Sequence, residues 1–198
     1  MKTTKIRIAT KQDAAELVRI YAPYVEKTAI TFEYEVPTVW EFEKRIDHIL
    51  KKYPYLIAER NGEAVGYAYA GSFKDRAAYD WAVETTIYVR EDQKKTGIGR
   101  DLYEALEKIL AEQNILNLNA CIAYPETEDI YLTKNSVQFH KHLGYRLAGE
   151  FYKCGYKFGR WYNMVWMEKH IGEHKENPPA VKTFNEIRKL TEKKYEIF

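Results

Sequence analysis

Apolar and polar positions follow two distinct periods along the chain, and the switches between them mark the elements. Ile6 to Ala9 alternates as a short strand. Thr10-Lys11-Gln12-Asp13 has the Thr-x-x-Asp form of a capping box, in which two side chains satisfy free backbone N–H groups, so a helix opens here. Leu17, Ile20, Tyr21 and Tyr24 then fall at i, i+3, i+4 and i+7, one buried face. A second helix opens at Pro37-Thr38, with Glu41 three residues after the threonine. Phe42, Ile46, Ile49, Leu50 and Tyr53 form its apolar stripe.

Tyr55 to Arg60 and Glu63 to Ser72 read as strands joined by Asn61-Gly62, a pair that tolerates positive φ at both centres of a hairpin turn. Trp81 to Arg90 alternates as a long strand. Val83, Thr85, Ile87 and Val89 share one face and Glu84, Thr86 and Tyr88 the other, which puts a carboxylate in mid-strand. Leu102, Ala105, Leu106, Ile109 and Leu110 define a third helix ending at Asn114, and Ile115 to Ile122 alternates again. Ser136 to Leu143 predicts a short helix stopped by Gly144. Two last strands, near Tyr145 to Lys153 and Trp161 to Glu168, pair as a hairpin through Gly155 to Arg160. The order β-α-α-β-β-β-α-β-α-β-β predicts a mixed α/β domain over residues 1–170. Residues 171–198 read as a polar connector carrying Pro178-Pro179, then an amphipathic helix in which Val181, Phe184, Ile187 and Leu190 recur every third residue. That helix docks on its own domain or packs against a second subunit.

Length and charge narrow the function. A chain of 198 residues suits one domain with a full core. Its 31 Lys and Arg against 29 Asp and Glu leave +2, without the basic excess that nucleic-acid binding calls for, so small-molecule or protein partners are expected. Cys121 and Cys154 are too few for a disulfide scaffold, and Met1-Lys2-Thr3-Thr4-Lys5 lacks the apolar core of a signal peptide. No apolar run approaches the roughly 20 residues of a membrane span, and mean hydropathy is −0.56. A cytoplasmic protein is expected.

The main candidate for chemistry is Lys94-Lys95-Thr96-Gly97-Ile98-Gly99-Arg100, between a strand and a helix. Glycines let backbone approach an anion, and the free N–H groups of a helix start favour phosphate, so the turn is a pyrophosphate cradle by physics. A plain strand-to-helix turn would also use glycine. Neither the P-loop nor the dinucleotide fingerprint is present. His170-Ile171-Gly172-Glu173-His174 fits a zinc-protease pattern that requires a helix, which Gly172 and the nearby prolines disfavour. No metal site is expected.

Ile87-Tyr88-Val89 with the basic Gly-x-Gly turn resembles motif A of the GNAT N-acetyltransferase superfamily. The likeness is closer to its phosphinothricin acetyltransferase branch. It is carried in order by Tyr53-Pro54-Tyr55-Leu56-Ile57-Ala58-Glu59, Gly66-Tyr67-Ala68-Tyr69-Ala70-Gly71, Ala78-Tyr79-Asp80-Trp81, Glu84-Thr85-Thr86-Ile87-Tyr88-Val89, His140-Lys141-His142-Leu143-Gly144-Tyr145 and Gly155-Tyr156-Lys157-Phe158-Gly159-Arg160-Trp161. The resemblance implies a GNAT acyl-CoA N-acyltransferase fold and transfer of acetyl from acetyl-CoA to the amine of a small amino-acid-like substrate of the phosphinothricin or methionine sulfoximine type. Another amine, such as a polyamine or a peptide N-terminus, and a non-catalytic acyl-CoA binding module are the alternatives.

The resemblance also assigns roles. Glu84 stands at the general base, acting directly or through a water. His140 stands where a proton donor to the departing thiolate is expected, with packing or CoA contact as its other reading. Ile87, Tyr88 and Val89 would meet the thioester with main-chain N–H groups, and Lys94, Lys95, Thr96, Gly97, Ile98, Gly99 and Arg100 the CoA phosphates. The family's CoA-contacting asparagine falls on Thr133, with Asn135 two residues on, and Pro125 to Lys134 reads as an insertion. Phe32, Glu33, Arg76 and Tyr79 are the substrate candidates, and Lys74, Lys157 and Arg160 join them on charge alone. Lys94 replaces the usual Gln or Arg, Glu33 stands where relatives can carry Arg, and Phe158 where they often carry His. The added carboxylate would repel a phosphinate or sulfonate tail. The family is commonly dimeric with its site near the interface, and the 17 tyrosines would suit such a surface.

Overall fold

In the computed structural model, which describes residues 4–197, the strands are β1 (Lys5–Ile8), β2 (Tyr55–Arg60), β3 (Glu63–Ser72), β4 (Ala82–Val89), β5 (Asn117–Tyr124), β6 (Arg146–Lys157) and β7 (Arg160–His170). They form one mixed sheet in the order β1-β2-β3-β4-β5-β7-β6, all neighbours antiparallel except β4 and β5. α1 (Ala14–Lys27) and α2 (Val39–Leu50) pack on one face through Leu17, Tyr21, Phe42 and Ile46. α3 (Ile98–Glu112), α4 (Asn135–His142) and α5 (Phe184–Tyr195) lie on the other, where Leu102, Leu106, Ile109 and Phe184 are fully buried.

Local chemistry explains the boundaries. At Thr10 the capping box forms, with Asp13 Oδ2 accepting from Thr10 N–H at 2.7 Å and Oγ1 at 2.9 Å, and a single 3-10 turn leads into α1. Asp13 also pairs with Arg7 at 2.7 Å, fixing β1 to that helix start. Asn61 (φ 53°) and Gly62 (φ 80°) make the tight turn between β2 and β3.

Three expectations shift. The fifth strand begins at Asn117 rather than Ile115. Asn114 takes φ 67° and the Ile115 N–H reaches back to Leu110 C=O at 3.0 Å, so Ile115 plugs the end of α3 as the apolar partner of a Schellman cap. The last hairpin turns on Phe158 (φ 51°) and Gly159 (φ 73°), not across Gly155 to Arg160, and β6 runs on to Lys157 with two irregularities. Finally, α5 docks on α3 through Phe184, Ile187 and Thr191, leaving Leu190 half exposed. A strict three-residue repeat drifts off a face that turns every 3.6 residues. Gln113 Nε2 ties the approach to α5 down by donating to Lys52 C=O (2.8 Å) and Lys182 C=O (2.7 Å).

Candidate active site

β4 and β5 pair only over Ala82–Glu84 and Asn117–Asn119, and then diverge. Asn119 Nδ2 donates to Val83 C=O at 3.1 Å, so odd residues of β4 turn their main-chain groups toward β5. Beyond the last pair, the N–H groups of Ile87 and Val89 therefore face a gap in the middle of the sheet. A cleft of about 310 Å³ occupies this gap and reaches both faces, lined by Phe32, Glu33, Glu84 and Cys121 on one side and Tyr103, Ser136 and His140 on the other.

Glu84 projects to the α1/α2 face, because its neighbours Val83 and Thr85 are buried on the opposite side. Its β3 partner is Gly71, which leaves room over the carboxylate. Burial raises the Glu84 pKa and nearby Lys74 partly offsets this, so the group is a stronger base than a fully solvated carboxylate. Cys121, two residues beyond the last paired position, opens on the same cleft. Its surroundings push the thiol up to about 12, first through burial and then through Glu84, so it is not a thiolate at neutral pH.

On the opposite side, His140 is 3% exposed. Its Nδ1 lies 2.8 Å from Ser136 C=O, an acceptor only, so the proton sits on Nδ1. The neutral ring then accepts the Tyr103 hydroxyl at Nε2 (3.0 Å). Burial lowers the His140 pKa to about 4. At neutral pH the ring is therefore uncharged and its one N–H is committed to the backbone, which favours the packing reading of His140 over that of a proton donor. Tyr103, Thr85 and Tyr145 continue the chain of hydroxyls across the sheet, Thr85 Oγ1 lying 3.3 Å from Tyr145 and bonding Asn119 C=O at 3.2 Å.

The basic turn lies at the same end of the cleft. Lys95 (φ 61°) and Gly97 (φ 91°) are left-handed, and Gly97 caps α3. The first helical N–H to find its carbonyl is that of Asp101, on Gly97 C=O (3.0 Å), which leaves the preceding amides facing the exposed turn. Gly99 abuts α4, since a Cβ there would stand 2.9 Å from the Phe139 ring. Ile98 is buried and anchors the turn, while Lys94, Lys95, Thr96 and Arg100 are exposed. Arg60 of β2, absent from the expected set, holds Thr96 by its side chain (3.0 Å) and carbonyl (3.2 Å). Thr133 and Asn135 are exposed at the start of α4; neither lines the cleft, whereas Ser136 does.

Among the substrate candidates, Phe32 and Glu33 line the cleft. Glu33 is paired with Arg45 of α2 at 2.9 Å, which neutralises the carboxylate expected to repel an anionic tail. Arg76 and Tyr79 sit on the exposed loop between β3 and β4, away from the cleft of their own chain. Lys157 and Arg160, chosen on charge, hold structure instead. Lys157 is buried and donates to Thr31 C=O at 2.8 Å, and Arg160 pairs with Asp129 at 2.8 Å. Asp129 also organises the 125–134 insertion, whose Leu132 closes one wall of the cleft. Of the 17 tyrosines eight are buried, and only Tyr34, Tyr79, Tyr152 and Tyr156 are exposed. Around His170 and His174 the chain is not helical, and His174 bonds Asn117 (2.7 Å).

A mixed sheet parted between two parallel strands, with a phosphate-suited helix start at one end of the gap and a carboxylate at the other, defines an acyl-CoA-dependent transferase. The family description Acetyltransferase (GNAT) domain matches residues 6–166, and the chain belongs to that family. It is 34% identical over 168 residues to the phosphinothricin N-acetyltransferase of Streptomyces viridochromogenes, covering 85% of this chain and 88% of that one. It is 29% identical over 174 residues to the L-methionine sulfoximine/L-methionine sulfone acetyltransferase of Salmonella typhimurium, covering 85% and 95%. The phosphinothricin acetyltransferase of Sinorhizobium meliloti, solved with acetyl-CoA, superposes with a TM-score of 0.81 at 29% identity over 92% of this chain and 96% of that one.

Proposed function

We propose that this chain acetylates the α-amine of a small amino acid, taking acetyl from acetyl-CoA, with Glu84 as general base. The carrying observation is the half-buried Glu84 beside a sheet gap into which the unpaired N–H groups of Ile87 and Val89 point. An α-ammonium has a pKa of roughly 7.7 to 8.0, so a carboxylate at neutral pH suffices to remove its proton, directly or through a water. The free amine attacks the thioester carbon. The carbonyl oxygen gains charge, which the Ile87 and Val89 N–H groups offset without reorganising. As the new C–N bond completes, the C–S bond breaks and the sulfur takes the proton still on the nitrogen. Neutral His140 orders the Tyr103 hydroxyl and the start of α4 rather than supplying that proton. Lys94, Lys95, Thr96 and Arg100 with the α3 amides suit the CoA phosphates.

The reading includes a homodimer in the cytoplasm. β6 is an edge strand with Leu147, Phe151, Tyr152 and Tyr156 exposed, an apolar edge suited to a second copy. The exposed loop carrying Arg76 and Tyr79 would then serve the partner's cleft, an Arg there holding the acceptor carboxylate. Among the described residues no helix is long and apolar enough to cross a membrane.

Release of free CoA is followed with acetyl-CoA and a panel of amino acids, polyamines and peptides. Amino acids are expected to raise the rate; a response to polyamines or peptides alone rejects the acceptor assignment, and no response with intact CoA binding rejects catalysis. Glu84→Gln is expected to lower kcat about 10²- to 10⁴-fold and remove the acid limb of the pH profile.

A further inference from the structure

Tyr24 belongs to the buried face of α1 and is 5% exposed. Packing explains its ring, while its hydroxyl has a separate use: it donates to the carbonyl of Val89, the last residue of β4. Burial raises the phenol to about 12, so it remains a donor at neutral pH. The same ring lies edge-on to Tyr88 at 5.0 Å and carries the Lys94 ammonium 4.6 Å from its centroid. One side chain of α1 therefore touches both parts of the region assigned above to CoA, the open edge of β4 and the first residue of the basic turn.

Strand direction gives the first contact its weight. Arg90 N–H, one residue past β4, donates to Val65 C=O at 2.9 Å, whereas Trp81 C=O, one residue before it, accepts from the Leu116 and Asn117 N–H groups at 2.9 and 3.0 Å. Even positions thus serve the β3 side and odd positions the β5 side. Val89 turns its N–H and C=O toward the side that β5 has left. A peptide there has no ladder to hold it, and the Tyr24 hydroxyl takes the place of the missing strand. The carbonyl keeps a second lone pair, so a ligand N–H can still join it.

The second contact acts on a cation. Lys94 is exposed on the turn, at the end of a four-carbon stem that loses rotamer freedom when it grips a phosphate. Over the face of the Tyr24 ring, part of that ordering is done before a ligand arrives. The end of α1 is tied down as well, Thr28 Oγ1 donating to Tyr24 C=O at 2.7 Å.

We propose that Tyr24 is a positioning residue for acetyl-CoA: its hydroxyl fixes the Val89 peptide at the open strand edge and its ring holds Lys94 over the turn, so that the amide-bearing arm and the pyrophosphate of the cofactor meet groups already in place. This rests on the CoA placement given under the proposed function. A residue that only filled the core would not be coupled to Lys94.

Calorimetric titration of CoA compares the intact protein with Tyr24→Phe, which keeps the ring, Tyr24→Leu, which removes both contacts, Lys94→Ala, and Lys94→Ala combined with each. Tyr24→Phe is expected to raise the CoA Kd about 2- to 10-fold, the span of one neutral hydrogen bond. The step from Phe to Leu should add about 2- to 5-fold, the span of one exposed cation–π contact, and should vanish where Lys94 is absent. The acceptor KM at saturating acetyl-CoA should not move. CoA binding unchanged in Tyr24→Phe overturns the proposal, and so does a Phe-to-Leu step of equal size with and without Lys94, which would mark a packing role. If Tyr24→Leu does not fold, Tyr24→Phe alone decides. If Lys94→Ala binds CoA as tightly as the intact protein, the placement of the CoA phosphates on the turn fails separately; weakened binding in Tyr24→Phe then still supports its hold on β4, and unchanged binding rejects it.

Discussion

Acidification tests the state of His140 directly. The ring has an ordinary pKa of 6.5 and about 4 in the fold, so between these values the unfolded chain binds a proton that the native chain refuses. Stability must therefore fall as pH drops through this window, and flatten below about 4. The difference of 2.5 units, at about 1.4 kcal/mol each, comes to about 3 kcal/mol from this one residue. The comparison variant is His140→Gln, whose amide oxygen can still accept from Tyr103 but does not titrate. Urea unfolding of both proteins at pH 7, 6, 5 and 4 isolates the residue, because every other titrating group is common to the pair. The intact protein is expected to lead at pH 7 and to lose that lead, by about 3 kcal/mol, at pH 4. Parallel pH curves would refute the reasoning, as would an NMR titration giving the ring a midpoint near 6.5 or a proton on Nε2 instead of Nδ1.

Other outcomes follow from contacts elsewhere. Gly155→Ala puts a Cβ 2.3 Å from the Phe32 ring, so the variant should lose about 1–3 kcal/mol in urea unfolding and raise the acceptor KM while leaving that of acetyl-CoA alone. Arg60→Leu releases Thr96 from its two hydrogen bonds and should raise the acetyl-CoA KM about 10-fold, measured by initial rates at fixed acceptor. Phe184→Ala empties a fully buried site under α5 and should cost about 3–5 kcal/mol, read from the urea midpoint.

Local signals were readable wherever the physics is local. Asn61-Gly62 announces its turn because only a few residues tolerate two positive φ angles, and Thr10 and Thr38 announce helix starts because their partners lie three residues away. Ile115 misleads for the same reason: it continues an alternating pattern, while its actual role is set by a carbonyl of the helix before it. Gly155 reads as a turn residue, yet its missing side chain makes room for Phe32, more than a hundred residues earlier. Within the candidate site, glycine spacing marks the basic turn and strand periodicity places a carboxylate at Glu84, while the role of that carboxylate comes from the family resemblance. The charge state of His140 does not follow from such signals, since it depends on burial of the ring by residues distant in the chain. Arg45 escapes for a similar reason, as its pairing with Glu33 joins a loop to a helix. Tyr24 reads as one more residue of an apolar helix face, because its contacts with Val89 and Lys94 come from elements much later in the chain.

The docking of α5 bears on how the chain is made. Phe184 and Ile187 complete the core around α3, Ile197 is 5% exposed, and Phe184 N–H bonds Lys52 C=O at 2.9 Å. During synthesis the N-terminal parts of a chain collapse first. Here residues 6–166 can gather around α3 while the surface meant for Phe184 stays wet. Closure of the core therefore waits until the α5 segment has been synthesised. A nascent chain that has not yet reached Phe184 would expose an apolar seam along α3, so α5 is the element that seals this face.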